Sequence, residues 1–154
     1  GANMVAMREV YEVDATLLAV AGLHRLGCPQ AATSILQIDE FLPAVGQGVI
    51  AIETRVDQTR IRNLMAAVDD GPTSTALAAE RAFLAVLDGS CRTPIAGHAR
   101  LTAAGLSFRG LVARPDGSEL FETVRRGEAL DAEILGRDAG EELKARIGAD
   151  FFAE

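Results

Sequence analysis

Two kinds of side chain in this sequence could do chemistry beyond solvation: one cysteine on a glycine-flanked loop, and a set of arginines. Cys91 lies in Leu87-Asp88-Gly89-Ser90-Cys91-Arg92-Thr93-Pro94-Ile95-Ala96-Gly97. Cysteine attacks as the thiolate, so a neighbouring cation such as Arg92 that lowers its pKa favours alkylation or covalent attachment. A free cysteine is equally at home as inert packing, being among the most often buried residues, and spacing alone leaves both readings open. Fourteen of the fifteen basic residues are arginine, and a planar guanidinium fork suits bidentate capture of carboxylates. Genomic base composition explains the count as a whole, so the fork reading applies only to single positions. Arg25, on the turn after Gly22, is such a position; its alternative is an exposed arginine near a helix end. Gln47 stands between Gly46 and Gly48, which permit close approach of backbone to a ligand or another segment. Neither a GxGxxG nor a Walker pattern is present, which argues against a phosphate cradle. His24 reads as a surface residue and Cys28, in the Gly27-Cys28-Pro29 turn, carries no role. With no CxxC and no paired histidines, no metal site is expected.

The elements that must position Cys91 are legible on both sides of it. Residues 72–87 are almost unbroken in Ala, Leu, Phe and Val, with Glu80 and Arg81 the only charges, and predict a buried helix. Asp88-Gly89 ends it, with Gly89 expected in the left-handed conformation, leaving Ser90 and Cys91 on exposed backbone past the helix end. Pro94 then keeps the chain from turning helical again. Three strands are predicted over 98–103, 106–114 and 119–126, joined by hairpin-type turns at Ala104-Gly105 and Pro115-Asp116-Gly117-Ser118, hence an antiparallel meander. Leu106, Phe108, Gly110 and Val112 alternate along one face. A last helix, capped by Asp131 and stopped by Gly148, carries the stripe Ile134, Leu135, Ala139, Leu143 and Ile147. Both helices on one sheet face make a small α+β domain. Upstream, 13–20 reads as a strand buried on both faces, 31–38 as weakly helical, 49–54 as a second interior strand and 57–68 as an amphipathic helix with Ile61, Leu64, Met65 and Val68 on one side. Asp69-Asp70-Gly71-Pro72 is the best domain boundary.

With 154 residues, 49% hydrophobic and 24% charged, the chain suits one compact domain or parts of two and excludes a disordered polymer. A formal net charge of −7 argues against a nucleic-acid partner. The longest apolar run, 15–23, is far short of the roughly 20 residues that span a bilayer, and no signal sequence opens the chain, so no membrane partner is expected. Two cysteines in unlike contexts argue for a reducing compartment, the cytoplasm. Gly1-Ala2-Asn3 reads as a cloning remnant.

The run around Cys91 resembles the cofactor-attachment loop of the porphobilinogen deaminase (hydroxymethylbilane synthase) family. Leu18-Ala19-Val20-Ala21-Gly22-Leu23-His24-Arg25-Leu26-Gly27, then Leu42-Pro43-Ala44-Val45-Gly46-Gln47-Gly48 with Ile52-Glu53, then Ala79-Glu80-Arg81-Ala82, resemble that family in the same order, over about 13–152. The resemblance implies a three-domain transferase of tetrapyrrole and haem biosynthesis, two of its domains like the halves of a periplasmic binding protein. It condenses porphobilinogen head to tail into hydroxymethylbilane with release of ammonia. Residues 1–43 would be the end of the second domain, 44–70 the hinge and the returning segment of the first, and 71–154 the C-terminal domain. Cys91 would hold a dipyrromethane primer through a thioether, Arg25 would bind carboxylates of the cofactor or growing chain, and Gln47 would lie near the cofactor cleft. The catalytic aspartate would lie outside this stretch, which would hold no catalytic residue of its own. The stretch alone is therefore expected to be inactive, with a bare Cys91. The whole enzyme is expected to be monomeric, whereas the stretch would associate through strands 13–20 and 49–54, which have lost their partners; residues after Pro72 would fold as a unit. Two other functions remain as alternatives: a stand-alone small-molecule-binding or interaction module, and a redox thiol domain.

Overall fold

The computed structural model describes residues 2–5, 14–89, 93–148 and 150–152, and its contacts divide the chain into two units, Gly1–Pro43 and Ala44–Glu154. In the first unit, strand β1 (Ala2–Val5) pairs antiparallel with β2 (Thr16–Ala19), from Ala2 opposite Ala19 to Val5 opposite Thr16. Helix α1 (Val20–Arg25) follows β2 directly, and after a 3-10 turn at Pro29–Ala31 the two-residue strand β3 (Ser34–Ile35) pairs with the other edge of β1.

Ala2 and Asn3 are residues of the central strand. Two expectations are corrected here. The strand predicted over 13–20 is shorter and is not buried on both faces, since Leu17 and Leu18 are 45% and 38% exposed; a continuous apolar run does not by itself say that both faces are covered. The predicted start, Val13, lies outside the described residues. Residues 31–38 form no α-helix: the 3-10 turn ends at Ala31, and Ser34 and Ile35 find strand partners in Met4 and Asn3.

The second unit opens with helix α2 (Thr59–Ala66) and helix α3 (Gly71–Val86), followed by strands β4 (Ile95–Thr102), β5 (Gly105–Ala113) and β6 (Leu120–Gly127) and helix α4 (Ala132–Arg146). The Asp69–Pro72 cluster begins α3: Asp70 Oδ1 accepts the Thr73 N–H at 2.9 Å, Asp69 Oδ1 accepts from Ser74 Oγ at 2.7 Å, and Pro72 sits in the first turn, where its missing N–H costs nothing. The sheet has the order β4-β5-β6, antiparallel throughout, with hairpins closing at Thr102 opposite Gly105 and Ala113 opposite Leu120. Burial alternates strictly along β5, and Leu106, Phe108 and Val112 are fully buried against α3 and α4. Phe83 of α3 packs on Phe108 at 5.0 Å between ring centroids. Burying one such ring contributes about 1.5–3 kcal/mol.

The two helices meet at the backbone. A Cβ on Gly136 would overlap the Ala79 carbonyl oxygen, and one on Gly140 would lie 2.8 Å from Val86 Cβ. Lys144 donates to Val86 O at 2.9 Å, holding the end of α3 against α4. On the outer face, Glu142 joins α4 to β6, accepting from Thr123 Oγ1 at 2.6 Å, Arg125 Nη2 at 2.8 Å and Arg146 Nη1 at 3.2 Å. Arg125 Nε also donates to Asp138.

The remaining corrections concern segments that lack a partner. Residues 49–54 form no strand; Ile50 is 88% exposed, and no described strand pairs with them. Helix α2 is shorter than 57–68 and buries none of its residues. Asp131 stands at the N-cap of α4 without a side-chain cap bond, a 3-10 turn at Ala129–Asp131 leading in instead, and Ile134 faces solvent rather than the stripe.

Gly136→Ala should cost roughly 3 kcal/mol or more, because backbone rather than a flexible side chain must move, whereas Gly71→Ala, with nothing in reach, should change stability by less than about 1 kcal/mol. Urea titrations of the two variants check this; equal midpoints would refute the close contact. The Thr123 hydroxyl, then Arg125, hold the Glu142 carboxyl below its ordinary pKa. A lowered folded-state pKa means stability present above the ordinary glutamate range and lost as pH falls through the folded value. Glu142→Gln should therefore flatten the acid limb of a plot of urea midpoint against pH while leaving its shape near neutrality unchanged.

Candidate functional site

The segment containing Cys91 joins α3 to β4, and both of its ends are fixed. At the helix end the N–H of Asp88 donates to Ala85 O at 3.4 Å and that of Gly89 to Leu84 O at 3.2 Å, the paired closure of a Schellman motif. Its left-handed residue is Asp88, with φ 52°, not Gly89 as the sequence suggested. Aspartate tolerates that region better than most residues. Gly89 lies close under two side chains: a Cβ there would overlap Leu84 Cδ1 and lie 2.8 Å from Ile95 Cδ1, so both tips would have to shift. At the strand end Ile95 N–H donates to Thr93 O at 2.8 Å and Ala113 N–H to Pro94 O at 3.0 Å, which stitches the loop to the end of β5. Leu87 and Ile95 are buried on either side. Ser90, Cys91 and Arg92 lie outside the described residues, so the structure defines the two anchors between which the thiol is carried and nothing about the thiol.

Gln47 is exposed at the corner of two successive turns. Its N–H donates to Ala44 O at 3.1 Å and that of Val49 to Gly46 O at 3.2 Å, with Gly46 at φ 70° and Gly48 at φ 86°, a region that side chains rarely adopt. Gln47 lines a groove of about 830 Å³ bounded by residues 48–54, α2 and the start of α3. Arg62 lies on the same groove, while Asp69 and Asp70 are occupied with capping α3. Gln47 and Arg62 are donors on this groove and the two aspartates keep their charge beside them.

The turn is seated on the domain that carries the loop. Glu80, 7% exposed, accepts the Gly46 N–H on Oε2 at 2.7 Å and the Ala99 N–H on Oε1 at 2.8 Å. Val45 lies close enough to β4 that a Cβ on Gly97 would stand 3.0 Å from its Cγ2. Gly46 and Val45, which precede Gln47, are thereby tied to β4, the strand into which the cysteine loop runs. Sequence reasoning registered Glu80 only as a charge in an apolar helix. The available signal was its position among Ala79, Phe83, Leu84 and Leu87, which are three or four residues apart or adjacent and face the core.

Arg25 belongs to the other unit. It is exposed in the last turn of α1, which closes with Gly27 N–H on His24 O and Cys28 N–H on Leu23 O, both at 3.0 Å, and it has no hydrogen bond or ion pair to another described residue. Its guanidinium is thus available for an external carboxylate. Among the described residues no group of three or more His, Cys, Asp or Glu could hold a metal ion, and no helix is long and apolar enough to cross a membrane.

Comparison with known proteins gives one consistent result. Residues 3–63 match the family model "Porphobilinogen deaminase, dipyromethane cofactor binding domain" and residues 74–145 match "Porphobilinogen deaminase, C-terminal domain". The chain is 58% identical over 143 residues to the porphobilinogen deaminase of Nitrobacter winogradskyi, covering 93% of this chain and 45% of the relative. It is 50% identical over 145 residues to the chloroplastic porphobilinogen deaminase of Oryza sativa subsp. japonica, covering 92% of this chain and 40% of the relative. The chain thus spans a little under half the length of these relatives. Two family models in sequence, together with an identity above half across nearly all of its residues, establish that this chain belongs to the porphobilinogen deaminase family.

Proposed function

We propose that this chain carries the cofactor-attachment domain of a hydroxymethylbilane synthase, the transferase that condenses porphobilinogen head to tail into hydroxymethylbilane with release of ammonia, in the cytoplasm. The observation that carries this reading is the 58% identity to a porphobilinogen deaminase over 93% of the chain. In it, 1–43 ends the second domain, 44–70 is the hinge and the returning segment of the first, and 71–154 is the C-terminal domain. What supports a dipyrromethane group at Cys91 on the described residues is that the chain is hydrogen-bonded on both sides of it, at Asp88 and Gly89 and at Pro94 and Ile95.

When bound, that group supplies a primer whose free end accepts each new pyrrole. The residues of this chain have simpler tasks. Cys91 would hold the group through its sulfur, in a thioether to a pyrrole methylene carbon; a primary amine displaced from that carbon would leave with the thiol proton as ammonia. Covalent anchoring then keeps the growing chain at high effective concentration beside one set of catalytic groups. Arg25 takes a carboxylate of the chain as a charge-assisted pair, and Gln47 contributes a neutral donor on its double turn. The carboxylate that stabilises positive charge on the pyrrole nitrogens is supplied from outside residues 1–154.

In the full-length enzyme, Cys91→Ser should abolish the mass increment of the attached cofactor and lower turnover by roughly 100-fold or more, since a hydroxyl is a far weaker nucleophile. Arg25→Leu should leave the circular dichroism spectrum unchanged while slowing chain assembly by about 10- to 100-fold, the scale of a charged hydrogen bond. Unaltered turnover together with an unaltered distribution of intermediates would remove Arg25 from the site. Residues 1–154 expressed alone should show the unmodified mass, no deaminase activity and no colour with Ehrlich's reagent; an increment of two pyrrole units on Cys91 would overturn that expectation.

A further inference from the structure

We infer that Glu80 is a positioning residue for Gln47, holding the double turn to the domain that bears Cys91. The inference rests on the reading of Gln47 as a residue of the cofactor cleft.

The carboxylate is buried and uses both oxygens on backbone N–H groups far apart in the chain, Gly46 before α2 and Ala99 in β4. β4 is an edge strand, so part of its N–H row faces away from β5, and Glu80 takes the donor at Ala99. The positive φ of Gly46 and the seat of Val45 beside Gly97 place the turn where its N–H meets the second oxygen. The two N–H donors meet different oxygens of the one side chain, and a glutamine in the same place would offer one oxygen and turn an NH₂ group onto the other N–H. Aspartate is one methylene too short to keep both bonds from the same helix position.

From Gly48 onward no comparable tie exists among the described residues: 49–54 make no strand pairing and Ile52 is 57% exposed. Glu80, together with Val45 packed beside Gly97, thus fastens the segment leading to α2 to the loop-bearing domain, and the place of Gln47, the residue after Gly46, follows from it. Its loss should slow elongation while leaving cofactor attachment intact, because the anchors of the loop, Leu84, Leu87 and Ile95, do not involve the carboxylate.

The test is a cycle in the full-length enzyme with Glu80→Gln, Gln47→Ala and the double variant, reading the cofactor mass increment, kcat and KM for porphobilinogen. The expected result is an unchanged increment in all three, kcat lowered about tenfold in each single variant with KM within about twofold, and a double variant no slower than the slower single one. Normal kcat in Glu80→Gln against an impaired Gln47→Ala, or losses that multiply in the double variant, would overturn the positioning role; normal kcat in Gln47→Ala would instead remove Gln47 from the cleft. Should Glu80→Gln fail to fold, amide exchange on the unsubstituted full-length enzyme decides. The Gly46 amide, though in a turn, should be protected to within about tenfold of the Ala99 amide, and exchange at the rate of an open loop would overturn the clamp.

Discussion

The backbone contact between α3 and α4 is the constraint on which the second unit depends. With no side chain at Gly136, α4 comes down onto the Ala79 carbonyl, and Gly140 lets it follow α3 as far as Val86. Two helices this close fit side by side over a sheet of only three strands. The pair then excludes water from Phe83, Phe108 and Leu143, all fully buried. Gly110 of β5 completes the fit, since a Cβ there would lie 2.7 Å from the Phe83 ring. Held in this way, α3 presents Glu80 to the Ala99 N–H of β4.

Two glutamates illustrate how burial decides what a charge does. Glu142 sits at the surface among Thr123, Arg125 and Arg146, where exposed ion pairs contribute about 0–1 kcal/mol each and salt screens them. It ties α4 to β6 but does not specify the arrangement. Glu80 is buried, and an uncompensated carboxylate there would cost several kcal/mol. Two charge-assisted bonds to backbone, about 1.5–3 kcal/mol each, offset that cost only when both are made with good geometry. Such a group tolerates one arrangement of its partners, which makes it a device for placement more than for stability.

Much of the second unit was legible because its signals are local. The period-two placement of Leu106, Phe108, Gly110 and Val112, incomplete in the sequence because Leu111 and Ala113 are apolar too, becomes a strict alternation of burial in β5; Pro115-Asp116-Gly117-Ser118 lies in the second hairpin loop as expected, while the first hairpin turns at Ala103-Ala104, one residue before the predicted Ala104-Gly105. The residues 72–87 run predicted its helix to within a residue or two at each end. Around the site, the types at Cys91, Arg25 and Gln47 were visible from motifs, and Glu80 was visible only as a charge out of place. The exchange of roles between Asp88 and Gly89 shows where local reasoning fails. Glycine was expected at the left-handed position because it carries no steric penalty there, yet Asp88 takes that conformation and Gly89 lies instead against the tips of Leu84 and Ile95.

Residue order alone thus determined which segments carry a period, where they stop, and which side chains have the chemistry to bind or attack, since each depends on neighbours within a few positions. It could not determine whether an apolar stretch finds a partner. Residues 49–54 have the composition of a strand and remain unpaired, while Ala2 and Asn3, which carry almost no pattern, lie at the centre of a sheet. Strand pairing and the burial of a lone carboxylate are settled by groups distant in the chain, Asn3 with Ile35 or Glu80 with Gly46 and Ala99, whose meeting is decided by tertiary packing.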